Sequence, residues 1–261
     1  MKSRLNQSAK SLPERSILVY GATGLVGKAV CAEAIRLKWQ VIGLCRNKCH
    51  GTSSSIEVNF TDYERLLDIT AELLTGEVLP TSLIFCHRAR INTDICKAST
   101  LLKMAAIEIN PYLAVKEALE GTTKKGVVNI VTVTSNAGFK IAKDVDYSYQ
   151  IIKSAQVAAA IGLSQISSTV KVYSNVVSFG EAVDNSKSEH DAYHKRIFNM
   201  LNQFTSRRPM ATISNIAKMA LVLANADTLG VCGQTITVDS GLNCQSNESM
   251  ARILSRLPRD H

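Results

Sequence analysis

Short apolar runs alternate along the chain with longer stretches whose apolar positions repeat at helical spacing. Ser16 to Val19 is the first run, closed by Gly21, Ala22, Thr23 and Gly24 and followed by a helical pattern through Ala34 to Leu37. Gln40 to Leu44 and Ser55 to Val58 read as the next strands, and Tyr63 to Leu74 as an amphipathic helix. Then come a strand at Ser82 to Phe85, a long helix over Ser99 to Glu120, and the β-branched strand Val127 to Val133. A helix over Tyr149 to Leu163 and a strand over Lys171 to Val177 follow. The charge-rich stretch 181–208 reads as a helical lid or substrate loop, and the chain closes with a helix from Ile213 to Leu223 and a strand from Gln234 to Val238.

Strands joined by connections long enough to hold a helix lie parallel. The pattern predicts an α/β fold: a Rossmann-like, doubly wound parallel sheet of about seven strands with helices on both faces. One domain over 16–243 is expected, after a polar segment 1–15 and before a polar tail 244–261. The opening segment lacks the apolar stretch of a secretory signal, and no apolar run approaches the ~20 residues of a membrane span. A cytoplasmic protein with no membrane partner is expected.

Composition changes this picture little. The hydrophobic fraction, 46%, is ordinary for a globular chain. The net charge of +8 is spread along the sequence rather than gathered in one arm, which argues against nucleic acid and fits a polyanionic small ligand. Seven scattered cysteines do not form a disulfide framework. Cys45, Cys49 and His50 lie close together, but no second ligand pair with zinc-like spacing follows, so no metal is expected.

The turn Gly21-Ala22-Thr23-Gly24-Leu25-Val26-Gly27 stands between a strand and a helix, where glycines let the backbone approach a pyrophosphate and free N–H groups at the helix start meet its charge. The second strand ends in Cys45-Arg46-Asn47-Lys48, without the acidic residue that binds a ribose 2′-hydroxyl. Arg46 is thus a candidate for a 2′-phosphate, favouring NADP(H) over NAD(H), or else a solvated loop charge.

Tyr149 and Lys153, four apart on a helix, share one face. A phenol exchanges protons poorly at neutral pH, and a neighbouring ammonium is the kind of group that favours its ionised form. Ser135 follows a strand at the edge where open α/β sheets bind ligands. Together with the segments Asn175 to Gly180 and Gly233 to Asp239, these motifs make the chain resemble the short-chain dehydrogenase/reductase family, among its 3-oxoacyl-carrier and carbonyl reductases, from Ser16 to Asn243. The resemblance implies a catalytic set of Ser135, Tyr149, Lys153 and Asn110. In it Tyr149 protonates the substrate oxygen, Ser135 orients it, Lys153 also binds the nicotinamide ribose, and Asn110 holds a relay water. It also implies cofactor contacts at Gly21, Thr23, Gly24, Leu25, Val26, Gly27, Arg46, Asn59, Cys86, His87, Arg88, Tyr149, Lys153, Phe179 and Gly180.

The chain departs from the family where Cys86-His87-Arg88-Ala89 replaces Asn-Asn-Ala-Gly, where Tyr20 replaces Thr, where Phe179 replaces Pro, and at Asp184. His87 and Arg88 either add phosphate contacts or alter affinity. The expected activity is hydride transfer between NADP(H) and a carbonyl or alcohol substrate. Lys187, His190, His194, Lys195, Arg196, Arg207 and Arg208 suit an anionic substrate, or else mark a solvated helix. A cofactor-binding sensor or structural protein without turnover is the alternative. A homodimer or homotetramer, paired through the two long helices, is implied by the resemblance.

Overall fold

The computed structural model describes residues 15–76, 79–89, 98–141, 145–184, 192–205, 209–225 and 230–255. The strands are β1 (Ser16–Tyr20), β2 (Gln40–Cys45), β3 (Ser54–Glu57), β4 (Ser82–Phe85), β5 (Gly126–Ser135), β6 (Val170–Phe179) and β7 (Thr235–Thr237). All are parallel, in the order β3-β2-β1-β4-β5-β6-β7. The order reverses between β1 and β4, so the connections leaving these two strands diverge and open a crevice at their carboxyl ends.

Side chains alternate across the sheet because successive strand residues point to opposite faces. Leu18 and Tyr20 of β1, with Val128 and Ile130 of β5, join one core, together with α2 (Tyr63–Thr75), α3 (Ala98–Gly121) and α4 (Tyr147–Gly162). Ile17 and Val19 of β1, with Val131 and Val133 of β5, join the other, against α1 (Leu25–Arg36) and α6 (Ile213–Ala224). Burial on both faces explains why the central strands read as unbroken apolar runs.

The predicted elements are present, with ends shifted by at most two residues. Within 181–208, Val183 pairs with Thr212 and α5 covers Ala192–Asn202; Lys195 and Arg196 are exposed. The expectations for Lys187, His190, Arg207 and Arg208, and for the side chain of His194, lie outside the described residues. The polar tail contains a helix, α7 (Asn247–Leu254). It is built from local signals: Ser246 caps it by accepting from the Ser249 N–H at 3.1 Å, with Glu248 in its first turn and Arg252 in its last. None of its side chains is buried, so its sequence carries no core-facing stripe.

Candidate active site

The turn after β1 is closed by sterics. Gly21 has φ +84°, and a Cβ there would lie 2.5 Å from the His87 Cα; one on Gly27 would lie 2.2 Å from the Gly21 carbonyl oxygen. Helix α1 is therefore pressed onto the turn. Its N-cap, Gly24, supplies no side-chain cap, which leaves the first N–H groups of the helix open to the crevice. Bare donors at a positive helix end fit a dinucleotide pyrophosphate. Tyr20, at the position of the family's Thr, turns away from that site: its ring stacks on Phe85 at 4.7 Å and its hydroxyl meets Thr70 Oγ1 at 3.2 Å, and burial holds the phenol far above its ordinary pKa.

The crevice is a cleft of about 1250 Å³. Gly21, Thr23, Gly24, Leu25, Val26, Arg46 and Asn59 line one end, and Ser135, Tyr149, Lys153, Phe179 and Gly180 the other, with Cys86, His87 and Arg88 between. Two expected residues are not in its wall. Gly27 lies behind the turn it closes, and Asn110 sends its amide to the Phe60 carbonyl at 2.9 Å.

Asp146 starts α4 by accepting from the Tyr149 N–H at 3.1 Å, which fixes Tyr149 in the first turn. One turn on, the Lys153 ammonium lies 5.4 Å from the centre of the Tyr149 ring. Lys153 is buried, and so are its partners. It donates to Glu108 Oε2 at 2.5 Å and to Gln156 Oε1 at 2.9 Å. Gln156 Oε1 also accepts from Thr134 Oγ1 at 2.9 Å, while Glu108 Oε1 accepts from the Ala89 N–H at 3.0 Å. An ammonium has three donors, so one is left for the cleft. Arg88 approaches the phenol as well, its guanidinium carbon 5.4 Å from the ring centre. Ser135 ends β5 with its hydroxyl accepting from the Ala137 N–H at 3.2 Å.

Glu108 therefore faces Lys153 where Asn110 was expected. Residues two apart on a helix point about 200° away from each other, so the two cannot serve one site. Glu108 shares an inward stripe with Met104, Pro111, Tyr112 and Val115, all buried, and it is itself fully buried. A carboxylate on an apolar stripe was the sequence signal for it. Gly138 had no such signal: a Cβ there would lie 2.8 Å from the Lys153 carbonyl oxygen, so the turn after β5 seats α4 directly on bare backbone.

His87 is unsuited to phosphate. It is buried among Phe60, Phe85 and Tyr112, with Nε2 3.0 Å from the Glu108 carbonyl oxygen. Burial pushes its pKa down to about 4, leaving it neutral near pH 7. Burial likewise lifts the Cys45 thiol to about 11 and Cys31 to about 12, as befits small buried hydrophobes. Among the described residues no three His, Cys, Asp or Glu side chains gather as a metal site, and no helix is long and apolar enough to cross a membrane.

Residues 86–243 match the family model described as enoyl-(acyl carrier protein) reductase. No curated protein matches the chain in sequence. Among solved structures, a short-chain dehydrogenase from Leptospira borgpetersenii with bound NAD+ superposes with TM-score 0.73 at 16% identity, over 93% of this chain and 98% of that one. Thermoplasma acidophilum aldohexose dehydrogenase gives 0.72 at 15% identity, over 90% and 96%. Bacillus cereus enoyl-acyl carrier protein reductase with NADP+ gives 0.71 at 17% identity, over 89% and 97%. The matched stretch carries Ser135, Tyr149 and Lys153 on a sheet of this order, and the chain belongs to the short-chain dehydrogenase/reductase family of oxidoreductases.

Proposed function

We propose that the chain interconverts a carbonyl and an alcohol with NADP(H), Tyr149 exchanging the proton with the substrate oxygen. The observation that carries this reading is the cleft itself, which joins the open N-terminus of α1 to Tyr149, Lys153 and Ser135 in one continuous wall. The nicotinamide, when bound, supplies or takes up the hydride. Tyr149 gives or receives the proton, Ser135 orients the oxygen, and the free Lys153 donor faces the space for the nicotinamide ribose. Arg46, exposed at the end of β2 in the same wall, supports the choice of the phosphorylated cofactor.

Residues 16–243 act as one catalytic domain in this reading. A homo-oligomer paired through α3 and α4 is supported by the exposed Leu102 and Leu113 on α3 and Tyr147 and Ile151 on α4. Cys31, Cys45, Cys49, Cys86, Cys232 and Cys244 are free thiols, which suits a reducing cytoplasm. The test is NADPH oxidation across a panel of ketones by wild type and Tyr149→Phe. The variant is expected to lose roughly a hundredfold or more in kcat/KM while binding NADPH normally. Turnover that survives the loss of the hydroxyl excludes Tyr149 as the proton donor.

A further inference from the structure

Two cations flank the Tyr149 ring, but they differ in what holds them. Lys153 is buried, and Glu108 Oε2 meets its ammonium at 2.5 Å, so from the cleft the pair presents little net charge. Arg88 is exposed in the cleft wall, and among the described residues no carboxylate forms an ion pair with it. The carboxylates sharing that wall have other places: Asp146 caps α4, Glu181 is exposed, and Asp184 is buried beyond β6.

A guanidinium over an aromatic ring is held by its face, while its N–H donors point outward in its plane. Held against the Tyr149 ring in the cleft wall, Arg88 offers N–H donors matched in shape to a carboxylate. The pyrophosphate cradle has donors of its own in the uncapped N–H groups at the start of α1, so the cofactor's phosphates do not require Arg88.

We infer that Arg88 is the substrate-anion site, and that the substrate is an oxo acid, a carbonyl compound with its carboxylate one or two carbons away. This rests on the function proposed above and specifies its substrate class. The carboxylate takes the N–H edge of Arg88 while the neighbouring carbonyl oxygen lies against the Tyr149 hydroxyl.

The experiment compares 2-oxo and 3-oxo acids with neutral methyl ketones of equal length, in wild type and Arg88→Gln, with NADPH. Wild type is expected to prefer an oxo acid, and Arg88→Gln to raise its KM roughly ten- to a hundredfold, as loss of a charge-assisted pair does, so that the ratio of kcat/KM for the oxo acid over the neutral ketone of equal length falls by about that factor. Calorimetric binding of the same oxo acid to the NADP+-loaded protein reads the contact without turnover, and the same loss is expected there. Binding that depends on Arg88 in a protein without turnover would refute the catalytic reading and keep the anion site. An Arg88→Gln defect confined to NADPH, or an acid preference that survives the substitution, would overturn the inference.

Discussion

The Lys153 ammonium and the Glu108 carboxylate, 45 residues apart in sequence, meet at 2.5 Å inside the protein, with side-chain exposures of 4% and 0%. Each ion depends on the other, because a charge this deeply buried without a partner is strongly unfavourable. Lys153→Met should therefore cost about 3–5 kcal/mol in urea unfolding, and the double variant with Glu108→Gln should recover most of it. If the double variant is no more stable than Lys153→Met alone, the two charges are not coupled in this way.

Asn110 and Glu108 make opposite predictions for catalysis. Asn110 bonds the Phe60 carbonyl and should tolerate Asn110→Ala with less than roughly a threefold change in kcat/KM, whereas Glu108→Ala frees the lysine and should cost far more. Comparing the two at matched folded fractions decides which of them supports Lys153.

His87 links stability to pH. Its pKa is about 4 in the fold and near 6.5 when unfolded, so only the unfolded chain takes up a proton between these values. Stability is complete above about pH 6.5 and falls as the pH drops toward 4, by up to about 3 kcal/mol from this residue. His87→Gln keeps a donor for the Glu108 carbonyl and removes the titration. Its Tm should fall less steeply over that interval, and parallel curves would assign the acid sensitivity elsewhere.

Cofactor choice is read at Arg46. Arg46→Ala should raise the KM for NADPH roughly tenfold and leave that for NADH in place. An unaltered ratio of the two constants makes Arg46 a solvated loop charge.

Gly27 tests the cradle. The Cβ of Gly27→Ala would sit 2.2 Å from the Gly21 carbonyl, on backbone that cannot swing aside, so α1 must shift. NADPH affinity should fall at least roughly tenfold, with a lower Tm, and normal titration of the cofactor would mean that the helix start does not contact it.

The sheet was legible in the sequence because period and punctuation agreed: glycines closed β1, and the central strands were apolar on both faces. The placement of the glycine turn at a helix start, and of Tyr149 and Lys153 on one face of α4, was legible for the same reason, as each follows from local spacing. What local spacing lacks is the partner across the fold. The family resemblance pointed to Asn110, and only the inward stripe Met104, Glu108, Pro111, Tyr112 shows which side chain turns inward. For His87 the sequence left open whether it contacts phosphate or alters affinity, and its burial among three aromatic rings, which keeps it neutral, speaks against the phosphate contact.

Two of those rings, Phe85 and Tyr112, form a column with Tyr20. Tyr20 stacks on Phe85 at 4.7 Å and Phe85 on Tyr112 at 4.4 Å, and Tyr112 is one helical turn from Glu108. The column starts beside the glycine turn and ends on the turn of α3 that anchors the lysine, so the two grips proposed for the dinucleotide are mounted on one stiff beam. Shortening that beam, as Phe85→Ala would, should upset the distance between the grips and weaken both ends of the cleft together, though neither end is touched.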